Sequence, residues 1–483
     1  MLAQAGLKTI LLESHQQSGG CAGTFRRGNF IFDVGATQVA GLEKGGSHQR
    51  LFEQLAVPAP LATPLDPGCV IDLADGLPPV QLWRDPQRWR QERQMQFPGS
   101  EPFWRLCAAL HRSNWAFAAR RPVLPPRSPW DLGQLISALD PGSVASGVFS
   151  AASVADLQLI SGCGGAKPAA QRLRQFLDLQ LRLYSQESAQ HTAALYGATV
   201  LAMAQEPLGL WHLQGSMQTL SDCLERALGQ WGGELLLGHR VIGLQRQGSH
   251  WNISGESVGI AGGRKGFGLQ AESVVCSLAP QALPALLGEQ MPVRYQQRIE
   301  AFGDPSGALV FYGAVERSQL PDPCPGHWQL AWSDPGSLFV SISSEGDGRA
   351  PAGQATVIAS VFTPARPWFG LERQAYAAAK ARAQQGIEAG LAKLLGIEPG
   401  HWLHRELATP RGFQRWTGRP WGFVGGLGQR PDRFGPFGLA SRSPIENLWL
   451  CGDGIYPGEG TAGVSLSAEM AVRQLLQARS GKA

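Results

Sequence analysis

Glu13 closes the short apolar run Ile10–Leu12, and Gly19, Gly20 and Gly23 follow it within ten residues. An acid at the end of such a strand accepts the hydroxyl hydrogens of an adenosine ribose. Glycines at that spacing let backbone come close to a bulky anion, and Cys21 and Thr24 stand among them. A second apolar run ends on Asp33-Val34-Gly35-Ala36, again with room for a ligand beside Gly35 and Ala36. At the far end, Asn447–Asp453 reads as a strand closing on Gly452-Asp453, followed by PGEGTAG and a helix from about Val464. Asp453 is placed for a ribityl or phosphate-side hydroxyl. Gly460, Gly463 and Val464 open a helix whose first N–H groups have no partner of their own, which suits a pyrophosphate or the pyrimidine edge of a flavin.

Other patterns carry less chemistry. Gly458, Gly460 and Gly463 spell a formal G-x-G-x-x-G, yet six residues separate Gly452 from Gly458, and no second strand with an acid follows. GESVG, from Gly255 to Gly259, matches a hydrolase elbow but precedes IAGGRKGFGL, which does not make the required helix, so Ser257 reads as a loop or strand serine. His401 and His404 sit three apart without the glutamate of a zinc helix and read as surface or packing residues. No His/Asp or Cys/His constellation offers an acid or base, and no catalytic side chain is assigned. The metal class is empty.

The eight cysteines are scattered singly with no C-x-x-C, the pattern of reduced, structural thiols. A formal charge of +4 over 483 residues has no basic stripe, which argues against nucleic acid as a partner. No apolar run reaches the roughly 18 residues that a membrane span needs. The expected location is cytoplasmic, or peripheral on a membrane.

These groups need elements to carry them. AQAGLKT reads as a helix end with Gly6 in the left-handed position, and Ser47–Val57 as a helix with Ser47 as its N-cap. Residues 76–200 turn helical and rich in Trp, Leu and Ala, around the proline cluster Arg120–Trp130. Met217–Trp231 is an amphipathic helix, followed by two short strands and a buried strand within Ala271–Pro280. Ala308–Val315, Ser337–Ser344 and Ala355–Phe362 are spaced like neighbours in one sheet, and a long helix covers roughly Leu371–Leu395. The two ends of the chain are alike in kind. That predicts an α/β nucleotide-binding domain in pieces at 1–75, 201–285 and 435–483, holding a helical insert at 76–200 and a substrate sheet and helix at 286–434.

LLESHQQSGGCAGTFRRGNFIFDVGATQVAG and NLWLCGDGIYPGEGTAGVSLSAEMAV resemble the two flavin segments of FAD-dependent, amine-oxidase-like flavoproteins, in their carotenoid desaturase and isomerase branch. GSMQTLSDCLERALGQWGGELLLGHRVIGL resembles the segment whose valine, here Val241, touches the adenine through its backbone. ESVVCSLAP is similar to the strand that follows. Cys21, where many relatives carry arginine, is most like the cyanobacterial carotenoid C-3′,4′ desaturases. The resemblance implies an FAD/NAD(P)-binding Rossmann-like domain and hydride transfer from a carotenoid to FAD. It also implies quinone or oxygen as electron acceptor and contact with a membrane surface. The same flavin would serve a cis–trans isomerase of the prolycopene type, and a remnant that holds carotenoid without FAD is a third reading.

One departure stands out. The family opens with a strand, a glycine-rich phosphate loop and a helix, needing roughly 25 residues, and only five residues precede Gly6. The domain is therefore expected to lack its first strand and phosphate loop, with an open sheet edge and weakened FAD binding, and the missing unit is expected in frame upstream of Met1.

Overall fold

The computed structural model describes residues 1–258 and 263–481. Two parallel strand pairs form the nucleotide-binding layer: Ile10–Leu12 beside Glu234–Leu236, and Val274–Cys276 beside Leu448–Leu450. Among the described residues no strand joins the two pairs into one sheet. Ile10 and Leu11 are accordingly 37% and 46% exposed. Helices Gln218–Gln230 and Thr461–Ser480 flank this layer.

Met1–Gly6 forms turns rather than a regular helix, with Gly6 at φ +81° as expected. The helix Ser47–Leu55 starts differently from expectation. Gly46, not Ser47, is its N-cap, and no side chain caps it. The carbonyl of Gly41 folds back instead and accepts the N–H groups of His48 and Gln49 at 2.9 and 3.0 Å. A loop carbonyl satisfies the orphan donors as well as a serine hydroxyl does.

A seven-stranded sheet forms the second layer, in the order Trp402–Ala408, Gly307–Glu316, Gln354–Thr363, Leu338–Ile342, His327–Leu330, Val70–Asp72, Val80–Gln81. Strand Gly307–Glu316 is apolar at almost every position because both faces are covered. Leu309, Phe311 and Val315 pack on one side with Ile387 and Leu391 of the helix Arg373–Leu395. Ala308, Val310, Tyr312 and Ala314 pack on the other, with Phe32 and Val424. Seven helices between Pro86 and Val200 make the insert, around a core of Trp89, Phe97, Phe103, Trp104 and Phe176. No helix among the described residues is long and apolar enough to cross a membrane.

Ser257 lies in the antiparallel strand His250–Val258 and donates its hydroxyl to Lys265 O at 3.1 Å, as a strand serine would. Gly259, the last residue of that stretch, lies outside the described residues. His401 ends a short turn, His404 sits in a strand of the large sheet, and no cluster among the described residues can hold a metal ion. All eight cysteines are free.

Candidate active site

A cavity of about 820 Å³ lies where the two glycine loops, the large sheet and the helical insert meet. Its floor is the N-terminal loop with Gly19, Cys21, Gly35 and Ala36. The C-terminal loop and helix start, with Asp453, Glu459, Gly460, Gly463 and Val464, form one wall. The opposite wall is apolar, from Val310, Phe339 and Phe362 of the sheet to Tyr184, Tyr196 and Met203. It runs out between helices Glu101–Ala119 and Pro141–Ser146, where Ala118, Leu139 and Gly147 line it and are themselves exposed. That is its mouth.

The two ends of the chain are joined beside the cavity by His48. Its Nδ1 lies 2.7 Å from Ala40 O, and its Nε2 lies 3.2 Å from Thr461 O and 3.1 Å from Ser465 Oγ. Burial lowers its pKa, and the Ala40 and Thr461 carbonyls partly offset that.

The polar end of the cavity is built from residues far apart in sequence. Arg419 Nη1 pairs with Asp453 Oδ2 at 2.8 Å, and its Nη2 donates to Gly425 O at 2.7 Å. Burial opposes the charge on Arg419, but Asp453 overrides it and the pKa is raised. Gln186 Nε2 donates to Glu459 Oε2 at 2.9 Å, and Gln186 Oε1 accepts the N–H of Ser306 at 3.0 Å. The Glu459 carboxyl is pushed up to about 8, by burial first and then by the Asp453 carboxylate, against the Gln186 hydrogen bond and Arg419. Burial also raises the Cys21 thiol and holds Tyr196 protonated.

Several sequence candidates line this cavity: Gly19, Cys21, Gly35, Ala36, Asp453, Gly460, Gly463 and Val464. Glu13, Gly20, Gly23, Thr24, Val241 and Gly452 are not in its lining. Glu13 stands at the carboxyl end of a parallel strand, with Oε1 accepting the N–H of His15 at 2.8 Å. Gly23 packs under Gly19, where a Cβ would meet Gly23 Cα at 2.8 Å. Thr24 accepts the N–H of Gln218 at 3.2 Å, and Gly452 donates to Ser467 Oγ at 2.9 Å. Val241 is half-buried in the antiparallel strand His239–Gln247. Asp33, just before Gly35 and Ala36, is held in a buried ion network with Arg349. Arg419, Gln186 and Glu459 went unassigned in the sequence. Only Glu459 carried a local signal, as the one acid inside PGEGTAG.

The dinucleotide flavin implied by the resemblance fits these residues. Arg419 Nε is buried at the cavity wall with no hydrogen-bond partner among the described residues, a donor awaiting an acceptor. The twenty-residue helix Thr461–Ser480 begins at the cavity with Gly460 as N-cap and no side-chain cap, so its first N–H groups are free for an anionic or carbonyl group. Gly19, at φ +112°, and Gly463, whose Cβ would meet Gly458 O at 2.4 Å, keep the two loops thin enough for a ligand to lie between them.

Comparison with known proteins agrees with this geometry. The family model described as flavin containing amine oxidoreductase matches residues 1–476. Prolycopene isomerase 2, chloroplastic, from an Oncidium hybrid cultivar is 24% identical over 98% of this chain and 80% of its own. The chloroplastic prolycopene isomerase of Arabidopsis thaliana is 22% identical over 98% and 79%. All-trans-retinol 13,14-reductase from Danio rerio is 29% identical over 24% of this chain. Among solved structures, wild-type putrescine oxidase bound to putrescine superposes with a TM-score of 0.62 at 16% identity, covering 99% of this chain and 95% of its own.

Proposed function

The chain belongs to the flavin-containing amine oxidoreductase family, and on that premise we propose that it is an FAD-dependent carotenoid desaturase that introduces the C-3′,4′ double bond. Its cofactor is FAD, and its chemistry is the flavin-dependent oxidoreduction or isomerisation of carotenoid-related polyenes. When bound, FAD supplies a hydride acceptor. The supporting observation is the cavity of about 820 Å³, polar where the glycine loops meet and apolar along the sheet and insert. That volume lies within the range of small-molecule sites, and its gradient matches a flavin at one end and a polyene along the rest.

The chain's own residues bind, orient and keep water out. Gly19, Gly20, Gly23, Gly35 and Ala36 give the flavin close backbone approach, with Cys21 and Thr24 beside them. Glu13 receives ribose hydroxyls, and the Val241 backbone meets the adenine. Gly452, Asp453, Gly460, Gly463 and Val464 serve the ribityl and phosphate side. Val310, Phe339 and Tyr196 line a channel that excludes water from the reacting carbons. Around the mouth, Ile136, Val144 and Val148 are 58%, 61% and 77% exposed, which favours delivery of an apolar substrate from a membrane surface. A quinone or oxygen would then reoxidise the flavin.

The prolycopene isomerases that match over 98% of the chain favour a second reading, cis–trans isomerisation with the same flavin. Spectra separate the two. Desaturation lengthens the conjugated system and shifts the carotenoid absorbance to longer wavelength, whereas isomerisation consumes cis isomers without lengthening it. An FAD-loaded protein that leaves both saturated and cis carotenoids unchanged would refute both readings.

A further inference from the structure

Glu459 occupies the polar end of the cavity without a direct cationic partner among the described residues; the nearby guanidinium of Arg419 is paired with Asp453. Its position is built in. Gln186 holds Oε2 through Nε2, and Ser306 N–H on Oε1 fixes the orientation of that amide. Gly425, at φ +65°, leaves the room, since a Cβ there would lie 2.1 Å from Glu459 Oε1 and 2.2 Å from Gln186 Nε2. Glu459 lines the cavity at the end where Arg419 and Asp453 also line it, while Val310, Phe339 and Tyr184 line it farther along. The titratable and charged groups around it are Arg419, Asp453, Cys21 and Tyr196. A carboxyl so placed is costly unless used.

Dehydrogenation of a carbon–carbon single bond releases two hydrogens in different forms. One C–H bond breaks with its electron pair, as a hydride that bound oxidised FAD would accept. The neighbouring C–H bond breaks as a proton, and its electron pair becomes the new double bond. The apolar channel offers that proton few acceptors. We propose that Glu459 is a catalytic base whose carboxylate takes this proton from the polyene carbon next to the one that yields hydride. The proposal rests on the desaturase reading above. A base of this kind works best when its pKa lies close to the operating pH, as burial arranges here.

The test compares wild type, Glu459→Gln and Glu459→Asp, each loaded with FAD and mixed anaerobically with a carotenoid bearing a saturated end. Flavin bleaching in wild type is expected to quicken with pH through about 8. In Glu459→Gln it is expected to slow by roughly 10²–10⁴-fold and to lose that pH dependence, while Glu459→Asp keeps a pH-dependent rate. Infrared difference spectra, read without substrate, are expected to show a protonated carboxyl band that disappears as pH rises through about 8 and is missing from Glu459→Gln. If no such band separates the two proteins, or if Glu459→Gln bleaches at the wild-type rate with the same pH profile, Glu459 is not the base. If wild type bleaches with no polyene at any pH, the desaturase reading fails instead, and the proton-acceptor role fails with it.

Discussion

Arg349 grips Asp33 with two donors, Nε at 3.1 Å and Nη2 at 3.0 Å to the same Oδ2, and both side chains are about 2% exposed. Its Nη1 reaches Asp347 Oδ2 at 3.0 Å and Leu213 O at 2.8 Å, and His212 Nε2 lies 2.8 Å from the same Asp347 oxygen. Asp33 Oδ1 accepts the N–H of Met217 at 2.8 Å. One guanidinium thus ties the strand Phe30–Asp33 to the loop after Leu338–Ile342 and to the strand Leu210–Leu213, while the Asp33 carboxylate reaches the lead-in of helix Gln218–Gln230. Removing one partner of a buried pair leaves the other charge uncompensated, at about 3–5 kcal/mol. Arg349→Met is expected to lose stability on that scale in denaturant unfolding. Arg349→Lys is expected to recover little, because an ammonium cannot supply the fork. A loss below about 1 kcal/mol would show that the network relaxes around the gap.

One buried and one half-buried group should tilt stability with pH in opposite directions. Burial, with His212 and Arg349 nearby, lowers His327 from 6.5 to about 3. The unfolded chain therefore binds a proton between those values that the folded chain does not, and stability falls as pH drops from 6.5 toward 3. Glu459 is raised from 4.5 to about 8, so there the folded chain holds the extra proton and stability falls as pH rises from 4.5 toward 8. Melting curves of His327→Asn are expected to flatten the acid limb, and those of Glu459→Gln the alkaline one. Parallel curves for a variant and wild type would remove that group from the balance.

Gly19→Ala puts a Cβ at φ +112° and 2.8 Å from Gly23 Cα. Strain of this kind costs on the order of 1–3 kcal/mol, taken here from the loop that meets the cofactor. The expected result is FAD affinity reduced by about tenfold or more, read by flavin fluorescence titration, with far-ultraviolet circular dichroism preserved. Equal affinity in the two proteins would detach Gly19 from the flavin.

Ala118 lines the mouth and is exposed, so a large side chain there obstructs entry without invading a packed core. Ala118→Trp is expected to raise KM for a long polyene several-fold and to leave FAD affinity unchanged. An unaltered KM would mean that substrate enters elsewhere.

The sequence made some of this legible and hid the rest for physical reasons. Strands such as Ala308–Val315 and Ala355–Phe362 announced themselves because a sheet covered on both faces admits only apolar side chains. His327–Leu330 and Trp402–Ala408 did not, because their polar residues are satisfied only by tertiary partners, such as Ser341 Oγ, 3.1 Å from His327 Nε2. The glycine loops were readable as ligand-facing since their chemistry is local. The cluster of Arg419, Gln186 and Glu459 was not, because three segments more than thirty residues apart must meet before any of them becomes unusual. Ser47 failed as a cap for a similar reason: the competing carbonyl, Gly41 O, sits in a loop whose path no propensity reveals.

The two parallel strand pairs have a consequence for motion. Each is only two strands wide, a size that is marginal on its own, and Ile10 and Leu11 leave apolar surface uncovered. The pair at Ile10–Leu12 is therefore the more weakly covered of the two, where amide hydrogens exchange first through local opening, while Leu448–Leu450 is packed in a core. A dinucleotide bridging the N-terminal and C-terminal loops would close that opening by mass action. FAD would act there as a strut as well as a reagent, and the largest gain in exchange protection would fall on Ile10–Leu12.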